Sequence, residues 1–162
     1  MSTSKVTVIA GPTAVGKGTV ISRLRERFPQ VELSVSMTTR LPRPGEVDGV
    51  HYHFVSDDEF MRLVDSGQML ESALVHGKYH YGTPRGPVDD ALERGVPFLL
   101  EIDIAGVPQV RESLPEAQFV FLAPPSWEVL VSRLVNRGTE DASEQERRLQ
   151  TAREELASEG EF

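Results

Sequence analysis

The segment GPTAVGKGT, residues 11–19, separates two apolar segments that differ in hydrophobic period. Residues 5–10, KVTVIA, precede it and are rich in β-branched side chains, which favour a buried strand. Residues 20–28 follow it, and their apolar side chains recur on one face of a helix. A strand, a glycine-rich loop and a helix in this order form the context in which the pattern Gly-x-x-x-x-Gly-Lys binds phosphate.

Each part of this loop has a physical role in holding an anion. Gly11 and Gly16 allow the backbone to turn so that successive N–H groups face one anion. The helix that follows directs the positive end of its dipole to the same point. Lys17 brings a mobile charge to the terminal phosphates of a nucleotide. The predicted phosphate-binding residues are Gly11, Pro12, Thr13, Ala14, Val15, Gly16, Lys17, Gly18 and Thr19.

One position departs from the usual form of the loop. The lysine is normally followed by serine or threonine, whose hydroxyl holds magnesium, but Gly18 stands there and Thr19 comes one residue later. Because magnesium keeps several water molecules, we expect water and phosphate oxygens to hold it, with Thr19 assisting and no direct protein ligand. The competing interpretation of residues 11–19 is a tight strand-to-helix turn with an ordinary surface lysine.

Length and composition restrict the class of protein. The 162 residues indicate one domain, and the apolar fraction of 39% and charged fraction of 26% are typical of soluble globular proteins. The net charge of −8 argues against a nucleic-acid-binding surface, and the absence of cysteine excludes disulfides and thiolate metal sites. No apolar run reaches about 18 residues, so we expect no membrane span. The loop begins at residue 11, which leaves no room for a signal peptide, and we therefore expect a cytoplasmic protein.

Strand and helix patterns alternate along most of the chain. Apolar strands are predicted at 97–103 and 118–122, and their alternation with helices predicts a three-layer α/β core with a parallel sheet, built from residues 1–33 and 84–135. Residues 34–83 instead combine short strands with turn signals, which predicts a small, mostly β insertion.

Local signals predict where several elements begin. Residues 31–36 alternate as a short strand, and Asp48-Gly49 predicts a hairpin turn that leads into a strand at 50–55. A second hairpin is predicted around residues 76–78. Two serine–glutamate pairs have the spacing of a capping box and predict helix starts: Ser56 with Glu59, and Ser143 with Glu146.

A second group of residues suited to phosphate follows the first helix. Arg40 and Arg43 lie in an irregular segment stiffened by prolines, after a run of serines and threonines. Because the planar guanidinium group binds two phosphate oxygens at once, the two arginines together predict a second phosphate site. Tyr52 and Tyr81 carry hydroxyls that suit the same phosphate. The simpler interpretations are solvated surface arginines and tyrosines packed in the core.

Two acidic residues in apolar surroundings are candidates for recognising a base. Glu71 lies within the predicted strand 69–75, and Asp103 ends an apolar strand at its carboxyl end, where open α/β sheets bind ligands. A carboxylate accepts hydrogen bonds from N1–H and the 2-amino group of guanine, which adenine lacks. Buried polar groups of this kind reject the wrong base by roughly 10⁴-fold. Asp103 also suits a magnesium-bound water, and the two interpretations are compatible.

Three arginines near the C-terminal end predict a lid. Arg133 and Arg137 are four residues apart and share a helix face, and Arg148 lies on the next helix. A glycine at the start of the intervening loop favours a hinged lid over about residues 136–148. Arginines in such positions stabilise charge on a transferring phosphoryl group, with effects of about 10³–10⁵ in rate. The alternative is a polar helix face that forms exposed ion pairs with Glu128, Glu140 or Glu144.

These motifs resemble those of guanylate kinases, P-loop nucleoside monophosphate kinases that phosphorylate GMP with ATP. The resemblance covers essentially the whole chain in the family's order, through the segments GPTAVGKGT, SVSMTTRLPRPGEVDGVHYHF, MLESA, YGT, EIDIAG, FLAPPS, RLVNRGTE and RRL. It implies GMP and ATP as partners, Mg²⁺ as cofactor and direct in-line transfer. The ATP residues it implies are 11–19 with Arg133, Arg137 and Arg148, of which Lys17, Arg137 and Arg148 are catalytic together with Arg40. The GMP residues it implies are Ser36, Arg40, Arg43, Glu46, Tyr52, Glu71, Tyr81, Gly82, Thr83 and Asp103.

The chain departs from the family's pattern at several positions. Thr13-Ala14 replaces the more usual Ser-Gly, and Ser72 stands where an aromatic residue often follows the glutamate. The family also continues past the final EGEF with a strand, an asparagine that contacts adenine and a closing helix. The competing functions are a non-catalytic guanylate-kinase-like binding module, a regulatory GTPase and a kinase with another acceptor. We expect a monomer or a weak homo-oligomer.

Overall fold

A four-stranded sheet in which all neighbouring strands are parallel forms the centre of the molecule. The protein is represented by a computed structural model, which describes residues 5–135 and 141–162. The strands of this core sheet are β1 (Val6–Ala10), β2 (Glu32–Leu33), β7 (Phe98–Glu101) and β8 (Gln118–Phe121). Their order in the sheet is β2-β7-β1-β8. The predicted parallel sheet is therefore confirmed.

Helices cover both faces of the core sheet, because successive side chains of each strand point to opposite faces. Val8 and Leu100 belong to the apolar cluster on one face, which also contains residues of α3 (Gly86–Arg94) and α4 (Val107–Ser113). Ile9 and Leu99 pack on the other face against Ile21 of α1 (Lys17–Arg27). This arrangement is the predicted three-layer α/β fold.

A second four-stranded sheet is formed between residues 37 and 84. Its order is β4-β3-β6-β5, from β3 (Met37–Thr38), β4 (His53–Phe54), β5 (Met69–Val75) and β6 (Tyr79–Pro84). Strands β5 and β6 form the predicted hairpin. Helix α2 (Asp57–Asp65) connects β4 to β5, and the predicted cap is confirmed because Ser56 Oγ accepts a hydrogen bond from the Glu59 N–H.

Two predictions about short strands are wrong. Residues 31–36 do not form one strand, because β2 ends at Leu33 in the core sheet and β3 begins at Met37 in the second sheet. Asp48-Gly49 does not close a hairpin, because β3 and β4 are parallel neighbours. The Asp48 carboxylate instead accepts a hydrogen bond from the Phe54 N–H, at 2.9 Å. The pairing of β4 with β3 therefore depends on the second sheet as a whole and not on the local turn signal.

The elements described in the C-terminal part are α5 (Trp127–Val135), α6 (Ala142–Ala157) and a 3₁₀ turn (Ser158–Glu161). The cap predicted from Ser143 and Glu146 is wrong, because α6 begins after Asp141, whose carboxylate accepts from the Glu144 N–H. An aspartate combines the capping oxygen with a negative charge at the positive end of the helix dipole. Among the described residues, no helix is both long and apolar enough to cross a membrane.

Candidate active site

The phosphate loop lies at the carboxyl end of β1 and joins that strand to α1. Gly16 has a φ of 102°, a left-handed conformation that glycine adopts without steric cost, and it precedes the first residue of the helix. Gly11 is required for space, because a Cβ there would lie 2.5 Å from the Leu122 carbonyl oxygen just after β8. Ala14 takes a φ of 67° and packs against the apolar cluster of α5 and α6.

Two basic side chains hold the carbonyl groups of this loop. Lys17 Nζ donates to the Gly11 oxygen at 2.7 Å, and Arg133 Nη1 donates to the Val15 oxygen at 2.9 Å. The first bond joins the two ends of the loop, and the second connects the loop to α5. Arg133, expected to contact ATP, is thus placed against the backbone of the loop.

Gly18 and Thr19 occupy the first turn of α1. A Cβ on Gly18 would meet no atom within 4 Å, so this glycine is not required by packing. Thr19 is exposed. Among the described residues, no group of three or more His, Cys, Asp and Glu side chains is arranged to hold a metal ion.

Arg40 is held in one orientation by surrounding groups, and only 8% of its surface is exposed. Its Nη1 and Nη2 donate to the two carboxylate oxygens of Glu46 at 2.8 and 3.0 Å. Its Nε donates to the Tyr81 hydroxyl at 3.1 Å, and Nη1 also donates to the Leu41 oxygen at 2.9 Å. The interpretation of Arg40 as a solvated surface residue is therefore wrong.

Glu46 also accepts the Arg43 backbone N–H at 2.7 Å. The hydrogen bonds from Arg40 and from this N–H hold the pKa of Glu46 at about 2. Glu46 therefore remains ionised at neutral pH and keeps the guanidinium fork in a fixed plane. The contacts place Glu46 behind Arg40 as a residue that orients it.

Aromatic rings enclose the Arg40 guanidinium. Its Cζ lies 5.3 Å from the centre of the Tyr52 ring and 5.9 Å from that of Phe54, within the range of cation–π attraction. Tyr52 contacts Tyr81 edge to face, and burial raises the pKa of Tyr52. Ser36 and Arg43 lie on either side of Arg40 along the chain, and the Arg43 side chain is exposed.

Glu71 lies on β5 opposite Thr83 of β6. The buried Thr83 hydroxyl donates to Glu71 Oε1 at 2.7 Å. Burial raises the pKa of Glu71 above its usual range; the hydrogen bond from Thr83 lowers it, and the charge of Asp103 raises it further. The two predicted base-recognising acids, Glu71 and Asp103, are thus close enough to interact. Gly82 packs against Met69, and a Cβ there would lie 2.8 Å from the Glu71 carbonyl oxygen.

Asp103 follows β7 and lies in a cleft beside the phosphate loop, with a volume of about 430 Å³. The other residues that line the cleft come from the loop, from the turn after Asp103 and from the C-terminal part of the chain: Thr13, Ile104, Ala105, Thr151, Glu154, Glu155 and Ser158.

Glu155 is a site residue that the sequence predictions missed. Burial raises its pKa, while the charge of Lys17 and hydrogen bonds from the backbone and side chain of Thr13 lower it. Its carboxylate therefore faces the phosphate loop. No motif marks Glu155 in the sequence; its spacing of seven residues from Arg148 shows only that the two share a face of α6.

The lid arginines are only partly described. Arg148 lies on α6, where its Nη2 is 3.7 Å from Glu144 Oε1, one of the ion pairs that the alternative interpretation expected. Arg137 and the predicted lid residues 136–140 lie outside the described residues.

The chain is similar to known proteins in sequence and in structure. A family model described as guanylate kinase matches residues 3–162. The guanylate kinase of Leifsonia xyli subsp. xyli is 61% identical over 96% of this chain, and that of Rhodococcus jostii is 56% identical over 98%. The chain spans 61% and 77% of the lengths of these two relatives. The crystal structure of guanylate kinase from Anaplasma phagocytophilum matches all of this chain and 75% of its own, with a TM-score of 0.72 and 31% identity.

The expected family is therefore confirmed by sequence and by structure. The phosphate loop, the buried Arg40 and the pair of Glu71 with Asp103 occur together in one structure. The two guanylate kinases named above are each more than 50% identical to this chain in sequence. The chain belongs to the guanylate kinase family.

Proposed function

We propose that this chain transfers the γ-phosphoryl group of ATP to GMP and produces ADP and GDP. The observation that carries the proposal is the proximity of Glu71 and Asp103, two acids suited to guanine, with Asp103 in the cleft that the phosphate loop also lines. A GMP phosphate oxygen attacks the γ-phosphorus, the bond to the β,γ-bridging oxygen breaks, and ADP leaves. Such a loose transition state requires positioning and charge neutralisation more than a strong base.

The acceptor nucleotide is bound by the second sheet and its neighbouring loop. Arg40 presents a guanidinium whose plane is set by Glu46 and Tyr81. Glu46, Tyr81 and Leu41 accept from four of its five N–H groups, so the remaining Nη2 N–H and the positive charge are offered to the GMP phosphate. Arg43, Tyr52, Tyr81 and Ser36 add further donors. Glu71, with Thr83 behind it, accepts hydrogen bonds from the guanine edge, and Gly82 permits the close approach of β5 and β6. Asp103 completes the base site from the core sheet.

The donor nucleotide is bound by the phosphate loop, residues 11–19. Lys17 neutralises charge on its terminal phosphates, and Arg133 keeps the loop in place through the Val15 carbonyl. Arg137 and Arg148 neutralise charge on the group in transfer. Exclusion of water from the closed site favours transfer over hydrolysis.

The oxygen donors near the loop fit a magnesium ion. Phosphate oxygens and water molecules would hold the ion, with the hydroxyl of Thr19 and the carboxylate of Asp103 assisting as hard oxygen groups that bind this water. When bound with ATP, magnesium neutralises charge on the phosphate oxygens. Because its substrates are metabolites of the cytoplasm, we infer that the protein acts there. We expect it to be a monomer or a weak homo-oligomer.

A substrate panel tests the proposed function. In a coupled assay of ADP production with GMP, AMP, CMP and UMP, we expect GMP to be preferred by about 10³-fold or more. The other bases do not offer both the N1–H and the 2-amino group, so acceptors on the partly buried Glu71 and the exposed Asp103 are left unpaired. Equal turnover of AMP would contradict the assignment of Glu71 and Asp103.

Substitution of Lys17 tests the donor site and separates an enzyme from a binding module. We expect Lys17→Ala to weaken ATP binding by about 10- to 100-fold in calorimetric titration, because it removes a charge-assisted contact and the bond to Gly11. GMP affinity should not change. Lys78→Ala, on the β5–β6 turn, is the control and should leave both affinities at the wild-type level. A chain that binds GMP but no ATP would indicate a non-catalytic module.

The raised pKa of Glu71 predicts a pH dependence of GMP binding. The carboxylate must be ionised to accept from guanine, so the KM for GMP should rise as pH falls through the raised pKa. The increase should therefore begin at a higher pH than for an ordinary glutamate, while the KM for ATP follows a different profile. A KM for GMP that stays constant down to the ordinary glutamate range would contradict this role.

A further inference from the structure

The side chain of Gln109, on α4, is bound to the backbone of β5. The Ser72 N–H donates to Gln109 Oε1 at 3.1 Å, and Gln109 Nε2 donates to the Ser72 oxygen at 3.0 Å. Strand β5 is at the edge of the second sheet, with β6 as its neighbour on the other side. The amide of Gln109 thus supplies, at this one residue, the pair of hydrogen bonds that a further strand would supply.

A second bond from the same helix holds the other side of Glu71. Ser113 Oγ donates to the Leu70 oxygen at 2.9 Å, and Leu70 is itself 1% exposed within the main core cluster. Gln109 and Ser113 are four residues apart on α4 and so share a face of that helix. Helix α4 therefore binds the backbone on both sides of Glu71.

Gly106 provides the space for the Glu71 carboxylate. A Cβ on Gly106 would lie 3.1 Å from Glu71 Oε2 and 3.0 Å from Ile102 Cγ2, so these neighbours would have to shift by a few tenths of an ångström. Gly106 has a φ of −83°, which any residue adopts, so the requirement is for room rather than for conformation. Besides Thr83, which donates to the carboxylate from β6, the residues that position Glu71 lie in the segment 106–113. This segment begins at the last residue of the 3₁₀ turn Ile104–Gly106, which follows Asp103.

We infer that Gln109 and Gly106 are positioning residues that fix the Glu71 carboxylate relative to Asp103. Guanine is then recognised by two acids whose positions both depend on segments of the core, and not by the second sheet alone. This inference rests on the proposed function and adds residues to its specificity site. It explains why a glutamate on an edge strand of one sheet and an aspartate after a strand of the other act on one base.

Gln109→Met tests the inference, because methionine has a similar length and forms no strong hydrogen bond. We expect the KM for GMP to rise roughly 5- to 30-fold, as the loss of two modest hydrogen bonds implies, with kcat and the KM for ATP within about twofold of wild type. Gln109→Glu keeps the acceptor for the Ser72 N–H, so it should raise the KM for GMP by a smaller factor than Gln109→Met. Gln118→Met, an exposed position on β8, is the matched control and should change nothing.

A comparison of GMP with IMP separates positioning from general damage to the fold. IMP keeps N1–H but lacks the 2-amino group. If Glu71 is displaced, turnover of GMP should therefore fall by a larger factor than turnover of IMP. Equal losses for the two nucleotides, or an unchanged KM for GMP in Gln109→Met, would overturn the inference.

Two further measurements keep the inference testable if a variant is unstable or the proposed function fails. Gly106→Ala should displace the carboxylate and raise the KM for GMP. Ile102→Leu/Gly106→Ala removes the γ2 methyl of residue 102, and with it that contact, while keeping the contact with Glu71, so the KM for GMP should stay raised. Hydrogen exchange of the Ser72 amide should become faster in Gln109→Met, whether or not the chain phosphorylates GMP. An unchanged exchange rate would contradict the bond to Gln109, whereas a wild-type chain without GMP turnover would contradict the proposed function.

Discussion

Glu71→Gln is expected to lower kcat/KM for GMP by about 10³-fold while leaving the protein at least as stable as wild type. The glutamine amide offers one acceptor in place of two and directs an N–H₂ group at the donors of guanine or at the Thr83 hydroxyl. A site built on buried acceptors loses most of its specificity when one becomes a donor, because groups on both partners are left unpaired. The measurement is steady-state kinetics with GMP varied at saturating ATP.

The stability of the same variant follows from the direction of the pKa shift. Because burial raises the pKa of Glu71 in the folded state, the native protein binds this proton more readily than the unfolded chain. The stabilisation is complete below the unfolded pKa and is lost as pH rises through the folded pKa. At neutral pH the buried charge is thus a cost that Gln removes, so we expect an equal or higher Tm.

A matched control is available on α4. Glu112→Gln alters an exposed glutamate and should change neither kcat/KM nor Tm. If Glu71→Gln kept GMP turnover within about threefold of wild type, Glu71 would not recognise the base. If it instead unfolded the protein, the charged form would be part of the folded state's stability, contrary to the effect of burial.

Arg40→Lys is expected to lower kcat/KM for GMP by about 10²-fold or more and also to lower the Tm. Lysine keeps the positive charge but cannot bind both oxygens of Glu46, the Tyr81 hydroxyl and the Leu41 carbonyl together. The Glu46 carboxylate would lose its bidentate partner, and the acceptor phosphate would face a point charge without fixed direction. Kinetics and thermal denaturation of the same sample measure the two effects.

Two companion variants show whether Arg40 acts through its orientation. Glu46→Gln keeps the guanidinium but weakens the group that sets its plane, and we expect it to raise the KM for GMP by a smaller factor than Arg40→Lys. Arg62→Lys, an exposed arginine on α2, should have no effect. A full retention of GMP affinity in Arg40→Lys would place the acceptor phosphate elsewhere, with the exposed Arg43 as the first candidate.

The features that were predictable from the sequence are those that depend on near neighbours along the chain. The phosphate loop needs glycines and a lysine at fixed spacing between a strand and a helix, and these occur within residues 5–28. The alternation of strands and helices likewise predicted the parallel core sheet, since parallel strands need a crossover between them. The Ser56 cap and the β5–β6 hairpin were predictable for the same reason.

Local signals failed where distant segments decide the outcome. Asp48-Gly49 has the sequence of a hairpin turn, yet β3 pairs with β6 on one side and lies parallel to β4 on the other. The wrong cap of α6 has a different, local cause: Asp141, two residues before Ser143, offers a charged acceptor at the start of the helix.

The roles of individual site residues required the tertiary structure. Glu46 was expected to line the GMP site, and only its bidentate contact with Arg40 shows that it orients the arginine. Glu155 and Gln109 carry no motif, and their contacts with Thr13 and Ser72 join segments that are far apart in the chain. Residue types at fixed spacing can specify a loop that binds phosphate. Which carboxylates face that loop, and what holds them there, depends on hydrogen bonds between elements that come together only when both sheets have formed.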